Sequence, residues 1–400
     1  MHYRLSSLPE LEIGKGFVSE RDWLAHLGVL ADLPYPSLSL MPSILSIIRK
    51  GVAGEICGFG WANGAMHPVA FMTENMNLRA YHWWNHNAGE FFALCPVQEQ
   101  WDSQGESFRQ VVTAPEFTRT GMFREVYGSL GVRWATLAPV QLADGQGYGF
   151  LSIYRAEAAG PYTAEEHACL QRGTRALASL DRQDNPWHRL APAETALASA
   201  ASLIVRPDGS LSARSREAAR LLYLQGGATM SVLEWVRMDW LALPPQVREM
   251  AQWMFAQPES EISRRVGLQQ PWGRFEFVLE KVLEHRASAA AEALIIVNIH
   301  YFEAIDITVA RRLAGWPLSP REKRIVIAGA RCTDLAELAD ALQITLLTLK
   351  TYNRELVGRL QVGSRQRLIE LLLSDEAARH DPVFASAPWA ATEASRSLPS

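Results

Sequence analysis

Cysteine is scarce in this chain: four residues in 400 (Cys57, Cys95, Cys169 and Cys332), far apart and without a Cys-x-x-Cys pair. That leaves no dense disulfide framework and fits a reducing compartment better than a secreted disulfide scaffold, and the four read as buried thiols. A surplus of charge is missing too, since charged residues make up 20% and the net charge is −4. No global basic field marks a nucleic-acid coat protein or a membrane-surface protein, so any nucleic-acid contact must be local. No run approaches the roughly 18 apolar residues that span a bilayer, and the opening MHYRLSSLPELEIGKG holds no signal-peptide h-region, so the expected location is the cytoplasm. Catalytic signatures are lacking as well. No Gly-x-Ser-x-Gly, Walker A or kinase motif occurs, nor the acidic cluster that opens a phosphate-accepting receiver domain, so neither catalytic residues nor a cofactor are expected. His82 and His86 would share one helix face, but no third ligand accompanies them, and polar side chains are a simpler reading than a metal site. Gly145, Gly147 and Gly149 alternate in DGQGYG with no helix opening behind them, which fits a hairpin turn better than a dinucleotide loop.

What the chain does have is 48% apolar residues over a length that suits two or three domains. Charges and two prolines break the apolar periodicity between Ser179 and Glu194, and GWP interrupts a helical pattern between Ala314 and Pro317. The expected domains are therefore 1–183, 195–312 and 317–375, followed by an Ala/Ser/Pro-rich tail over 379–400. Between Leu318 and Leu373, nine Lys/Arg face six Asp/Glu, so this segment carries +3 and the remainder −7. A basic module on an acidic body suggests that the two meet different partners.

The first segment opens with helical spacing over Ser19–Leu33 and Met41–Gly51, then reads as two strands, Glu55–Asn63 and His67–Thr73. A hairpin over Val132–Ala156 leads into an amphipathic helix that a Thr163/Glu166 capping box starts. This order of elements, and GYGFLSIYR…YTAEEHACL above all, resembles a GAF-type sensor domain. In the second segment, Ser202–Ser215 is a hairpin turning at Asp208–Gly209; REAARLLYL follows as a helix, then ISRRVGL, GRFEFVLEKVL and ALIIVNIHY as strands. That succession is similar to a PAS-type fold.

The last segment is dense in helix signals. Ser319/Glu322 and Asp334/Glu337 read as capping boxes, and Thr345 precedes a run ending at Leu360. Four short helices are expected, with Leu335, Leu338, Ala339 and Leu342, then Leu349, Tyr352, Leu356 and Leu360, turned to a shared core. Gln343, Ile344 and Thr345 leave room only for a tight turn between the second and third helices, which is helix-turn-helix geometry. Here the sequence resembles the DNA-binding domain of LuxR-type bacterial transcription regulators. The likeness rests on Leu318, Arg321 and Glu322, on Leu338 and Ala339, on Leu342, Ile344 and Thr345, on Thr348, Leu349 and Lys350, and on Leu360, Val362, Ser364 and Arg365. It departs at Gln343, where glycine is usual, and at Leu346 and Leu347, where polar residues are common. The fold class expected is thus α+β multidomain: a GAF-like α/β sensor, a PAS-like α/β sensor and an all-α four-helix LuxR-type helix-turn-helix.

Stepping 100° per residue from a buried Leu349 puts Leu347, Lys350, Thr351, Arg354 and Gly358 on the outer face of the third helix. Within this motif that face lies in the major groove. Lys350 and Arg354 are expected on phosphate or guanine, Thr351 on a base edge or phosphate, Leu347 on a thymine methyl, and Thr348 beside them. Arg321, Arg359 and Arg365 are candidate backbone clamps. Because +3 is a weak anchor, a homodimer on two half-sites of a double-stranded operator is expected, and RNA polymerase is a further partner for such a regulator.

Aromatic residues Phe59, Trp61, Tyr81, Trp83, Trp84, Phe91 and Trp134 could enclose a small apolar or aromatic effector in the first sensor, with core packing as the alternative. Trp235, Trp240, Trp253 and Trp272 are weaker candidates in the second. The function expected is a DNA-binding transcription regulator switched by such a metabolite. The alternatives are the same regulator with sensors that serve dimerisation or a protein partner, and an enzyme in the first domain, against which no nucleophile, base or metal set converges.

Overall fold

The computed structural model describes residues 19–52, 54, 56–63, 68–73, 119–121, 123–128, 131–142, 147–182, 187, 190, 193–226, 229–231, 243–258, 262–284 and 292–374. The described residues form a mixed α/β structure in two compact units. The first takes those of 1–194, 230–231 and 304–374, and the second those of 195–229 and 243–303.

In the first unit, helices α1 (Glu20–Ala31) and α2 (Ser37–Gly51) precede strands β1 (Ile56–Asn63) and β2 (Pro68–Thr73), then β3 (Val132–Gln141), β4 (Gly147–Ala156) and α3 (Ala164–Ala176). Ser19 caps α1 by accepting from the Asp22 amide, and α2 starts at Ser37, four residues ahead of the expected Met41, with Pro42 inside it. The Thr163/Glu166 box forms as expected, both bonds present. Behind it the Arg155 guanidinium lies 4.0 Å from the Tyr162 ring and bonds both Glu166 oxygens, which holds that carboxyl below the usual range.

Strands β3, β4, β1 and β2 run antiparallel in that order. Their register decides the two faces. Phe59 pairs with Leu151, Cys57 with Ile153 and Trp61 with Gly149, so Cys57, Phe59 and Trp61 share a face with Thr136, Ala138 and Val140 of β3. That face is covered by helices: the Trp61 indole donates to Ser37 Oγ at the start of α2, 3.0 Å away. Gly149 is required under the Phe59 ring, where a Cβ would come within 2.1 Å of it. On the other face Gly58 and Gly60 make room for Phe71 and Phe150, whose rings stack at 6.1 Å.

The second unit runs β5 (Thr195–Val205), β6 (Leu211–Arg214), α4 (Arg216–Gly226), α5 (Pro245–Ala256), β8 (Ser263–Gln270), β9 (Gly273–Glu284) and β10 (Glu292–Ala304), while the three-residue strand β7 (Thr229–Ser231), two of whose residues fall in the first unit, is the edge strand beside β2. Its own sheet has the order β6-β5-β10-β9-β8. The β5–β6 turn is the expected one, with Gly209 at φ +82° and the Asp208 carboxylate accepting from the Ser210 amide. Phe275, Phe277, Ile295, Val297, Ile299 and Tyr301 are fully buried on one face. Period-2 burial of β-branched and aromatic side chains is the pattern that specifies such a half-covered sheet.

Beyond β10 the chain re-enters the first unit as α6 (Ile305–Arg312), α7 (Pro320–Arg331), α8 (Leu335–Ala341), α9 (Leu346–Leu360) and α10 (Arg365–Leu373). The Ile305 amide donates to the Glu194 carbonyl at 2.8 Å, which closes the two ends of the intervening segment on each other. The four helices expected from the last segment are α7 to α10. Cys57, Cys169 and Cys332 are buried free thiols, while Cys95 lies outside the described residues. No described helix is long and apolar enough to cross a membrane.

Candidate nucleic-acid interface

Each helix of the α7–α10 segment is started by a polar side chain. Ser319 and Glu322 form a full capping box on α7 with Pro320 at its first position, Thr345 accepts from the Thr348 amide on α9, and Ser364 accepts from the Arg367 amide on α10. The second expected box needs correction. Asp334 accepts from the Ala336 and Glu337 amides, but the Glu337 carboxylate does not return to the cap. It takes the Cys332 thiol instead, 3.1 Å away, because the thiol leaves α7 beside it.

The turn between α8 and α9 is a Schellman motif: the Gln343 amide bonds the Asp340 carbonyl at 2.9 Å and the Ile344 amide bonds Ala339 at 3.0 Å. Gln343 sits in the left-handed region at φ +53°, the conformation for which glycine is the unstrained choice. Gln343→Gly is therefore expected to raise stability by about 0.5–1 kcal/mol, read as a higher urea midpoint, even though glycine loses more entropy on folding.

Leu338, Leu349, Leu356, Leu360, Leu368 and Leu372 are at most 2% exposed and form the shared core. With Leu349 at 0%, the outer face of α9 is as the helical period requires: Leu347 is 75% exposed, Lys350, Arg354 and Gly358 are exposed, and Thr351 is half-buried. Among the described residues none bonds the Lys350 ammonium or the Arg354 guanidinium. The Thr351 hydroxyl donates to the Leu347 carbonyl at 3.1 Å, which leaves its oxygen to act as an acceptor. Thr348 is drawn back to the cap, its hydroxyl 2.8 Å from that of Thr345. The three expected clamps differ. Arg321 is exposed and stacks over Tyr352 at 4.9 Å; Arg359 pairs with Glu322; and Arg365 is half-buried over Gly329, its guanidinium desolvated enough to lower its pKa. Burial opposes ionisation of Glu322, but the Arg359 and Ser319 bonds outweigh it and hold the carboxyl below its usual range.

One residue on the inner side of α7 was not legible as buried. Lys323 is 2% exposed, and desolvation lowers its ammonium to about 8, with Asp22 acting the other way. It faces His26 of α1, whose pKa burial and the Lys323 charge both lower. Since the unfolded lysine titrates at its ordinary value, its buried charge costs stability in full below about pH 8, and stability recovers between there and about pH 10.5. Lys323→Met is expected to raise the melting temperature at pH 7, with the gain gone near pH 10.5.

Of the aromatic residues considered for an effector, Phe59, Trp61 and Trp134 stand on the helix-covered sheet face, Phe59 at 0% and Trp61 at 8% exposure. Tyr81, Trp83, Trp84 and Phe91, like His82 and His86, lie outside the described residues, as do Trp235 and Trp240. Trp272 is buried, and Trp253 is 44% exposed with Arg264 over its ring. The opposite sheet face carries aromatics that the sequence pattern did not single out: Phe71, Phe150, and Tyr154 with Tyr127 at 5.3 Å. The signal for them was the glycine alternation in β1, which empties that face for neighbouring rings. Among the described residues no group of three His, Cys, Asp or Glu is placed to hold a metal ion.

No protein-family model and no curated protein matches the chain. Among solved structures it aligns with SdiA in complex with octanoyl-rac-glycerol at 13% identity, covering 88% of this chain and 92% of that one, with a TM-score of 0.29. A crystal structure of Escherichia coli SdiA aligns at 13% identity over 82% and 85%, with a TM-score of 0.24. At such scores two chains need not share a fold, so it is the residues of α7 to α10 that bear on function.

Proposed function

We propose that this chain is a DNA-binding transcription regulator of the LuxR type, in which α8 and α9 are the helix-turn-helix and the outer face of α9 enters the major groove. The observation that carries it is the row Leu347, Lys350, Thr351 and Arg354, held outward by a buried Leu349 behind a Schellman turn. A two-cation face with an apolar tip matches a groove edged by phosphates and floored by thymine methyls and guanine acceptors. Thr348 supports the start of that helix; Arg359 in its last turn, and Arg321 and Arg365 on the flanking helices α7 and α10, are candidate phosphate contacts. A homodimer on a two-half-site operator doubles the modest charge of one module, and RNA polymerase is the partner that a regulator bound beside a promoter would meet. The test is retention of mixed-sequence duplex by the full chain across a salt series. Binding that weakens linearly with log salt supports the reading, and no retention at low ionic strength overturns it.

The remainder is read as two sensors of GAF-like and PAS-like form. The strand order β6-β5-β10-β9-β8, which is 2-1-5-4-3 when the strands of this sheet are counted along the chain, with α4 and α5 packed on it, supports the second of these. A small apolar or aromatic effector is proposed for the first, contacted by Phe59, Trp61, Tyr81, Trp83, Trp84, Phe91 and Trp134. The alternative keeps the DNA-binding regulator and makes the sensors dimerisation or protein-partner modules with no small ligand; the Trp61 indole, already bonded to Ser37 as a core residue would be, counts against that side chain as a ligand contact. A melting shift of the full chain on adding candidate metabolites separates the two, because a ligand of the folded state stabilises by mass action.

A further inference from the structure

Helix α6 is short, eight residues, yet every side chain from Asp306 to Arg312 is buried, including Asp306 at 0%, Arg311 at 0% and Arg312 at 3% exposure. Charges so placed are costly unless each has partners. The partners come from distant parts of the first unit. Asp306 Oδ1 accepts the Tyr35 hydroxyl at 2.7 Å, from the connection between α1 and α2, and also the Ile307 amide at 3.0 Å. Asp306 Oδ2 lies 3.5 Å from a guanidinium nitrogen of Arg331, the last residue of α7. That guanidinium lies 6.0 Å from the Tyr35 ring and reaches the Leu190 carbonyl at 3.3 Å. Six residues further along α6, Arg312 donates to the Leu372 carbonyl in α10 at 2.7 Å. Arg324 of α7 pairs with Asp32 at the end of α1. One carboxylate thus joins Tyr35, α6 and α7, and a second tie holds α10.

We propose that Asp306 is a latch: through Tyr35 on one side and Arg331 on the other it fixes helices α7 to α10 in one orientation on the first sensor, so that a displacement of the α1–α2 connection or of α6 re-aims α9. This rests on the reading of α9 as the DNA-contacting helix. Its outer face is open, with Leu347 at 75% exposure, so what the latch governs is the direction in which α9 points rather than whether it is covered. Buried ionic groups add little net stability over an apolar core of the same shape, and their best-attested use is to select one arrangement among several. That suits a joint which must hold one pose and yield as a unit. No linker separates α6 from β10, since the helix starts on the residue after Ala304.

The experiment is amide hydrogen exchange on the full chain, comparing the parent with Tyr35→Phe, Asp306→Asn, their double variant, and Ile44→Val as a control of ordinary core loss in α2. The expected result for Tyr35→Phe is exchange over 320–331 faster by about tenfold, the factor given by losing one hydrogen bond to a charged group, with β9 and β10 unchanged. The double variant should exchange no faster there than Asp306→Asn alone. Exchange over 320–331 no faster in Tyr35→Phe than in Ile44→Val overturns the latch, as does additivity in the double variant. If Asp306→Asn does not fold, the comparison of Tyr35→Phe with Ile44→Val decides alone. Failure of the parent to retain duplex overturns the DNA reading and leaves the exchange arms to decide the latch.

Discussion

Replacing Lys350 and Arg354 together by alanine is expected, on the proposed reading of α9, to weaken binding of the full chain to duplex DNA by roughly thirtyfold or more and to reduce the slope of log affinity against log salt by about two. The magnitude follows from two contacts of about 1–3 kcal/mol each, to phosphate or to guanine acceptors. Stability should stay within about 0.5 kcal/mol of the parent, because both side chains are exposed and nothing in the described fold depends on them. Filter binding or fluorescence anisotropy over a salt series, with urea unfolding alongside, reads both quantities. An affinity and a slope equal to the parent's would remove α9 as the contacting helix. Arg359→Ala makes the informative contrast. Its guanidinium already pairs with Glu322 at the α7 cap, so its loss should show more in unfolding than in duplex affinity.

Trp23→Ala is expected to cost about 3–5 kcal/mol, the range for truncating a large buried aromatic residue, and is the largest single effect on stability anticipated in the first unit. Trp23 is 1% exposed and its indole donates to the Ile47 carbonyl of α2 at 2.8 Å. Its ring also closes α1 on two glycines from other helices. A Cβ at Gly51 in α2 would fall 1.9 Å from the ring, and one at Gly173 in α3 would fall 3.1 Å from it. The cavity left by alanine therefore opens where three helices meet, a place that side-chain rotation alone cannot refill. Trp23→Phe keeps most of the ring but not the donor and should lose an intermediate amount. Calorimetric or urea unfolding measures both, and a loss below about 1 kcal/mol for Trp23→Ala would mean that the helices collapse onto the vacancy.

Local signals translated well. The Thr163/Glu166 and Ser319/Glu322 boxes, the Asp208–Gly209 turn and the Gln343–Thr345 turn all formed where the spacing put them, since each is made by groups within about five residues of one another and needs no distant partner. The outward set on α9 was legible for the same reason: one buried leucine and a 100° step place every other side chain of that helix. Asp334 and Glu337 show one local signal yielding to another, because the Cys332 thiol, only five residues before Glu337, took the carboxylate that the box required.

Which sheet face Phe59 and Trp61 occupy, and which cover they meet, was not a local matter. Alternation along β1 says that Phe59 and Trp61 lie together but is silent on whether helices or other aromatics stand above them. The buried charges are the sharper case. Asp306, Arg311, Arg312 and Lys323 have the composition of a solvated surface, and nothing in their neighbours along the chain marks them as interior. The chain's order of residues decided its helices, turns, strands and the face that α9 offers, because hydrogen bonds and periodicity of short range settle those. The assembly of α1, α6 and α7 decided which charges lose water and which partners repay them, since desolvation depends on everything packed around a group and not on what precedes or follows it.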